Sequence, residues 1–246
     1  MRRMVIFAAL TAVAGLATAL GPAAPQATEA GIERPRDPWV FRCVLDKQAR
    51  MVVIALHEHL WVAYDATDCT LYKAWDGDVK FTGAVYDYVH GPQPQVRGRT
   101  LLYHEDEAVW KVRRGAASET VTATWRGYRF EGDRVFLQYE LPGANGTPIQ
   151  ISECPEATMD DDGTYVLTRT FETSNVPEGW VINVALSTRQ DSDLHLTYTS
   201  GETVVPMNDA NRAAGGPDYQ SLRFTLTANG TKSITARMTN SQGGAR

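Results

Sequence analysis

The chain has 246 residues, 43% of them hydrophobic and 9% aromatic, and a net charge of −5. A mildly acidic chain without a Lys/Arg block is unsuited to nucleic acid, whose binding rests on phosphate neutralisation. The three cysteines, Cys43, Cys69 and Cys154, fit no zinc spacing, and none belongs to a Cys-x-x-Cys-His, so no cofactor is expected and the chain attaches no c-type haem itself.

Residues 1–30 read as a secretory signal peptide. Arg2 and Arg3 give a basic start, Val5 to Leu20 is apolar, and Ala17-Thr18-Ala19 or Thr28-Glu29-Ala30 offers small residues for cleavage. The apolar run is short for a membrane span and Gly21-Pro22 breaks it, so no span is expected once the leader is gone. Its removal takes two Arg and one Glu and moves the net charge from −5 to −6. Export to the periplasm or the cell exterior follows. It also permits a disulfide, and Cys43–Cys69 is the expected pair because both flank the same early strands.

Residues 31–38 carry Pro35 and Pro38 and read as a linker into one domain over 39–240, with a polar tail at 241–246. Trp39–Leu45 is a first strand. Met51–Leu56 is a continuous apolar run of strand length. His57-Glu58-His59 reads as a tight turn; two imidazoles two residues apart suit a metal less well here than a hairpin does. Asp76-Gly77, Asn145-Gly146 and Asn229-Gly230 each read as a type I′ hairpin turn. Asp160-Asp161-Asp162-Gly163 reads as a solvated turn, not a calcium loop, because three adjacent carboxylates cannot face one ion without a curled backbone. Thr120–Tyr128, Thr164–Phe171, Trp180–Leu186 and Leu194–Tyr198 carry further strand patterns. A weak helical turn near Asp209–Ala214 sits inside a long surface loop over 201–219. No segment sustains a 3.6-residue period. The expected fold is all-β, a large antiparallel β-sandwich with very little helix, of which the mutarotase-like supersandwich is one form.

The densest stretch runs from Leu60 to Pro94 and contains Trp61, Tyr64, Tyr72, Trp75, Phe81, Tyr86 and Tyr88. Alternation puts Tyr72 and Ala74 on one face and Leu71, Lys73 and Trp75 on the other. Rings of this kind build either a sandwich core or a platform for the C–H faces of sugars. In the second case Trp61, Tyr64, Tyr72, Trp75, Tyr86 and Tyr88 form the platform while Asp65, Lys73, Asp87 and His90 bond hydroxyls, with Gln93 as a polar ligand-binding neighbour of His90. His90 with Gly91-Pro92-Gln93-Pro94 forms a stiff loop that also suits a structural corner. Asn145-Gly146-Thr147 and Asn229-Gly230-Thr231 match a glycosylation pattern, but their turn role explains them. No nucleophile elbow, phosphate loop or dinucleotide fingerprint is present.

Several phrases carry a resemblance: Asp37-Pro38-Trp39-Val40-Phe41-Arg42, Val44-Leu45-Asp46, Ala55-Leu56-His57, Leu60-Trp61-Val62-Ala63-Tyr64-Asp65, Leu71-Tyr72-Lys73-Ala74-Trp75, His90-Gly91-Pro92-Gln93-Pro94 and Tyr128-Arg129-Phe130. Over residues 37–95, and loosely to about 190, the chain resembles a non-haem β domain of exported bacterial multidomain proteins. There it accompanies c-type cytochrome modules and, in some cases, sugar-dehydrogenase-like or ThuA-like modules. The resemblance implies cytochrome or dehydrogenase domains as partners and carries no catalytic residues. The expected function is an exported, non-catalytic sandwich module that binds carbohydrate or docks with such partners. One alternative is a carbohydrate-active enzyme using His90 and a nearby carboxylate. Another is a structural spacer.

Overall fold

The computed structural model describes residues 37–81, 93–104, 109–186, 188–190, 194–200, 203–204, 219–220, 223–226 and 228–240. His90, Asp87, Tyr86, Tyr88, the leader, most of the 31–38 linker, the helical turn at 209–214 and the polar tail lie outside them.

The strands in chain order begin with β1 Trp39–Leu45, β2 Gln48–Ala55, β3 Leu60–Asp65, β4 Thr70–Lys80, β5 Gln95–Tyr103 and β6 Trp110–Arg114. Next come β7 Ala117–Val121, β8 Thr124–Glu131, β9 Arg134–Leu141, β10 Ile149–Met159, β11 Tyr165–Ser174 and β12 Trp180–Ala185. The last are β13 Thr188–Gln190, β14 Leu194–Ser200, β15 Thr203–Val204, β16 Tyr219–Gln220, β17 Arg223–Leu226 and β18 Thr231–Asn240. They form three antiparallel sheets ordered β1-β2-β3-β4-β5-β13-β16, β15-β14-β18-β11-β10-β9-β8 and β17-β12-β6-β7. The fold is an all-β antiparallel sandwich, and its one short helical turn among the described residues is Ala144–Gly146.

Side-chain alternation explains the layers. In the β1–β5 sheet, Val52, Ile54, Leu60, Val62 and Tyr64 enter a core shared with the other two sheets. Their neighbours Met51, Val53, Ala55, Trp61 and Ala63 enter a second core on the opposite face. A sheet buried on both faces needs apolar residues at every position, which is why Met51–Leu56 runs without a polar break. The β10–β11–β18 sheet instead keeps one wet face. There Gln138 donates to Ser152 at 2.8 Å, Thr168 pairs with Thr235 at 3.0 Å and Thr170 with Ser233 at 2.9 Å.

Four expectations change. Asp76-Gly77 is no turn: β4 runs through it, and Gly77 lies opposite Gly98 of β5. Strict alternation also fails in β4, where the pairing with β3 slips between Ala63 and Tyr64. The bulge sends Tyr72 and Trp75 into the second core, while Leu71 and Ala74 face the first. Thr120–Tyr128 is not one strand, since β7 and β8 belong to different sheets. Asn229-Gly230 is not a hairpin, because β17 pairs with β12 while β18 pairs with β11 and β14. Asn229 instead sits at φ 49° and clamps Val176, accepting from its N–H at 2.8 Å and donating to its carbonyl at 3.0 Å. The turn readings at His57–His59, Asn145-Gly146 and Asp160–Gly163 match the connections β2–β3, β9–β10 and β10–β11.

Candidate functional site

Among the described residues, the aromatic side chains of the Leu60–Pro94 stretch are mainly core. Trp61 and Trp75, 2% and 0% exposed, face each other across β3 and β4 and stack at 6.1 Å with planes 10° apart. Their indoles donate to the carbonyls of Gly77 at 3.0 Å and Asp78 at 3.1 Å. Trp39, Phe41 and Phe81 complete this ring cluster. Tyr64 points through the other face of the sheet, into the main core. Asp65 is used locally, accepting from the Thr67 N–H at 2.6 Å. Lys73 lies 5.4 Å from the ring centres of both Tyr72 and Tyr103 and pairs with Asp46. Gln93 is half-buried just before β5. Trp61, Tyr64, Asp65, Lys73 and Trp75 therefore share no ligand surface: Tyr64 and the two Trp residues lie on opposite faces of one sheet.

All three cysteines are buried free thiols. The expected Cys43–Cys69 bond is not formed, because Cys43 packs into the second core and Cys69 into the main one. Burial, then Asp46, pushes the Cys43 thiol up to about 12. Burial, then Asp65, does the same to Cys69, also to about 12. Burial, then Glu156, pushes Cys154 up to about 11. Only thiolates attack readily. The native chain at pH 8 is therefore expected to react slowly with an aromatic disulfide reagent and to release three equivalents at once in guanidinium. One equivalent after denaturation would restore the disulfide.

Two constellations emerge that the residue pattern alone did not single out. The first is a buried charge network in the main core. Arg169 Nε donates to Glu153 Oε1 at 2.6 Å, Tyr64 donates to the same oxygen at 2.6 Å, and Tyr139 donates to Oε2 at 3.1 Å. The Glu153 side chain is 0% exposed and that of Arg169 7%. Burial opposes the charge on Arg169, but Glu153 beside it prevails and holds the guanidinium pKa above its ordinary value. Burial, then the Glu153 charge, raises both phenols well above theirs. A sequence signal existed: Glu153 follows Ile149 and Ile151 at core parity, and Arg169 lies between Leu167 and Phe171.

The second is an open groove of about 280 Å³ at the end of the sandwich. Asp37, Pro38 and Leu56 form one wall, where β1 starts and β2 ends; Asp133, Arg134 and Glu156 form the other. Arg134 pairs with Glu156 at 3.0 Å. On the same β8–β9 hairpin, Tyr128 and Phe130 are 38% and 37% exposed with ring centres 5.9 Å apart. They lie opposite Leu137 and Val135, so they share the inward face of the sheet while remaining open to solvent. Among the described residues no group of three His, Cys, Asp or Glu side chains is placed to hold a metal ion.

No family model matches the chain, and no curated protein matches it. Among solved structures, one similar chain is a 4-alpha-glucanotransferase from Thermococcus litoralis, with TM-score 0.39 and 8% identity over 83% of this chain. This chain spans 40% of that one.

Proposed function

We propose that the chain is an exported, non-catalytic β-sandwich module that binds carbohydrate in the groove between Asp37 and Glu156. The observation that carries the reading is a groove of about 280 Å³ that brings Asp37, Asp133, Arg134 and Glu156 together beside the apolar Pro38, Leu56 and Pro155. The apolar lining covers the C–H face of a sugar, and carboxylate and guanidinium groups bond its hydroxyls. Three carboxylates against one arginine, itself paired, favour neutral sugars over sulfated or uronic ones. The basic and apolar start of the chain supports export.

The test is a glycan array followed by calorimetry on the purified chain. Glu156→Gln and Asp133→Asn are each expected to weaken binding of the captured glycan about tenfold, which corresponds to about 1.4 kcal/mol. Their circular dichroism should match that of the unaltered chain. Absence of saturable binding to every glycan class sinks the reading. Tight binding that neither substitution alters moves the site elsewhere.

A further inference from the structure

Arg169 has a use for its guanidinium beyond Glu153. Its Nε is committed to the carboxylate, but its Nη2 is buried and, among the described residues, no group accepts from it. Leaving a buried charged donor unpaired is costly, and native cores rarely do so. Arg169 also lines an internal cavity between the sheets, together with Thr70, His104 and Tyr198 and the apolar Leu102 and Ala236. The cavity leaves about 10 Å³ for the centre of a water-sized sphere. Room for the centre of such a sphere is room for a water molecule.

We infer that a single ordered water occupies this cavity, accepts from Arg169 Nη2 and bonds a second polar group of the lining. The charge count selects water over a halide. Glu153 already balances Arg169, so a buried anion would add an uncompensated charge, whereas water adds none. Size excludes an organic ligand. Thr70 and His104, 4% and 7% exposed, bring polar groups to the same walls, and a buried water typically makes about three hydrogen bonds. The water would then complete the polar network at its open end, with Tyr64 and Tyr139 closing the other.

The test is a high-resolution crystal structure of the full chain grown with sodium bromide, with anomalous data. The expected result is one well-occupied, non-anomalous peak within about 3.2 Å of Arg169 Nη2 and of one further polar atom. An anomalous peak there would assign a halide site and overturn the inference, as would featureless density. A solution measurement stands beside it. Oxygen-17 relaxation dispersion counts long-lived internal waters, and Ala236→Val, which fills the cavity from one wall, is expected to lower the count by one in a folded protein. An unchanged count overturns the assignment.

Discussion

Glu153→Gln is expected to cost about 3–5 kcal/mol of stability, the range for breaking a buried ion pair from one side. The substitution keeps shape and volume, so cavity formation does not contribute. It strands the Arg169 charge in the main core, where the side chain is 7% exposed. It also turns an acceptor-only carboxylate into an amide. The three groups around it, Arg169 Nε, Tyr64 Oη and Tyr139 Oη, all donate to the carboxylate, so an amide nitrogen at either oxygen position faces a donor. A domain with about 5–15 kcal/mol in hand loses a large share of its stability this way.

Urea unfolding reads the loss as a lower midpoint at unchanged slope. Tyr139→Phe should cost less, about 1.5–3 kcal/mol, because it removes one bond to a charged group and leaves the ion pair whole. Glu153→Leu combined with Arg169→Met should recover most of the loss, because no lone charge remains. A loss below about 1 kcal/mol for Glu153→Gln would show that the pair is not a buried, ionised one. The phenols supply a pH check with a definite sign. Their folded-state pKa values are raised, so the stability they contribute is complete below the ordinary phenol value of about 10 and declines as pH rises past it. Phenolate absorbance from Tyr64 and Tyr139 should therefore appear together with unfolding.

The fold class was legible because it rests on local rules. Strand patterns in Thr164–Phe171 and Trp180–Leu186, the apolar run at Met51, and turn residues at Asn145, Asp160 and His57 each follow from nearest neighbours along the chain. What stayed illegible depends on partners distant in sequence. Glu153 meets Tyr64 across 89 positions, and an alternation pattern marks the glutamate as inward without saying what answers it. Asn229 reads as a hairpin turn because its backbone preference is the same at a corner; only the Val176 clamp, 53 residues away, distinguishes the two. The slip that puts Tyr72 on the face of Trp75 and not on that of Ala74 has no local signature. A one-position slip reverses the side chains beyond it, and burial on both faces of the sheet makes Trp61, Tyr64, Tyr72 and Trp75 core. The groove was missed for a similar reason: Asp37, Asp133 and Glu156 meet only where two sheets end together.

Gly77→Ala is expected to cost at least about 3 kcal/mol, more than an ordinary glycine substitution, because the strain of a sparsely allowed conformation and a backbone collision add. Gly77 has φ +142°, and a Cβ built there lies 2.1 Å from the Arg97 carbonyl oxygen and 2.8 Å from Gly98 Cα. Gly98 mirrors it: at φ +114°, its Cβ would lie 2.0 Å from the Asp76 carbonyl oxygen. Both obstacles are backbone, so no rotamer change relieves them. The position also carries three connections. Gly77 N–H donates to His59 O at 2.8 Å, its carbonyl accepts from Trp61 at 3.0 Å, and neighbouring Asp76 accepts from Tyr165 Oη at 2.9 Å. Pushing β4 away from β5 therefore disturbs the stacked Trp61–Trp75 pair and the link to β11 at once. Gly132→Ala is the control: its φ is +62° and a Cβ there meets nothing within 4 Å, so only the left-handed cost of about 1–2 kcal/mol applies. The measurement is the difference in urea midpoint between the two variants, with tryptophan fluorescence reporting the environment of Trp61 and Trp75. Equal losses would mean that β4 and β5 part without cost at Gly77, and that Asp76-Gly77 acts as the turn its dipeptide suggests.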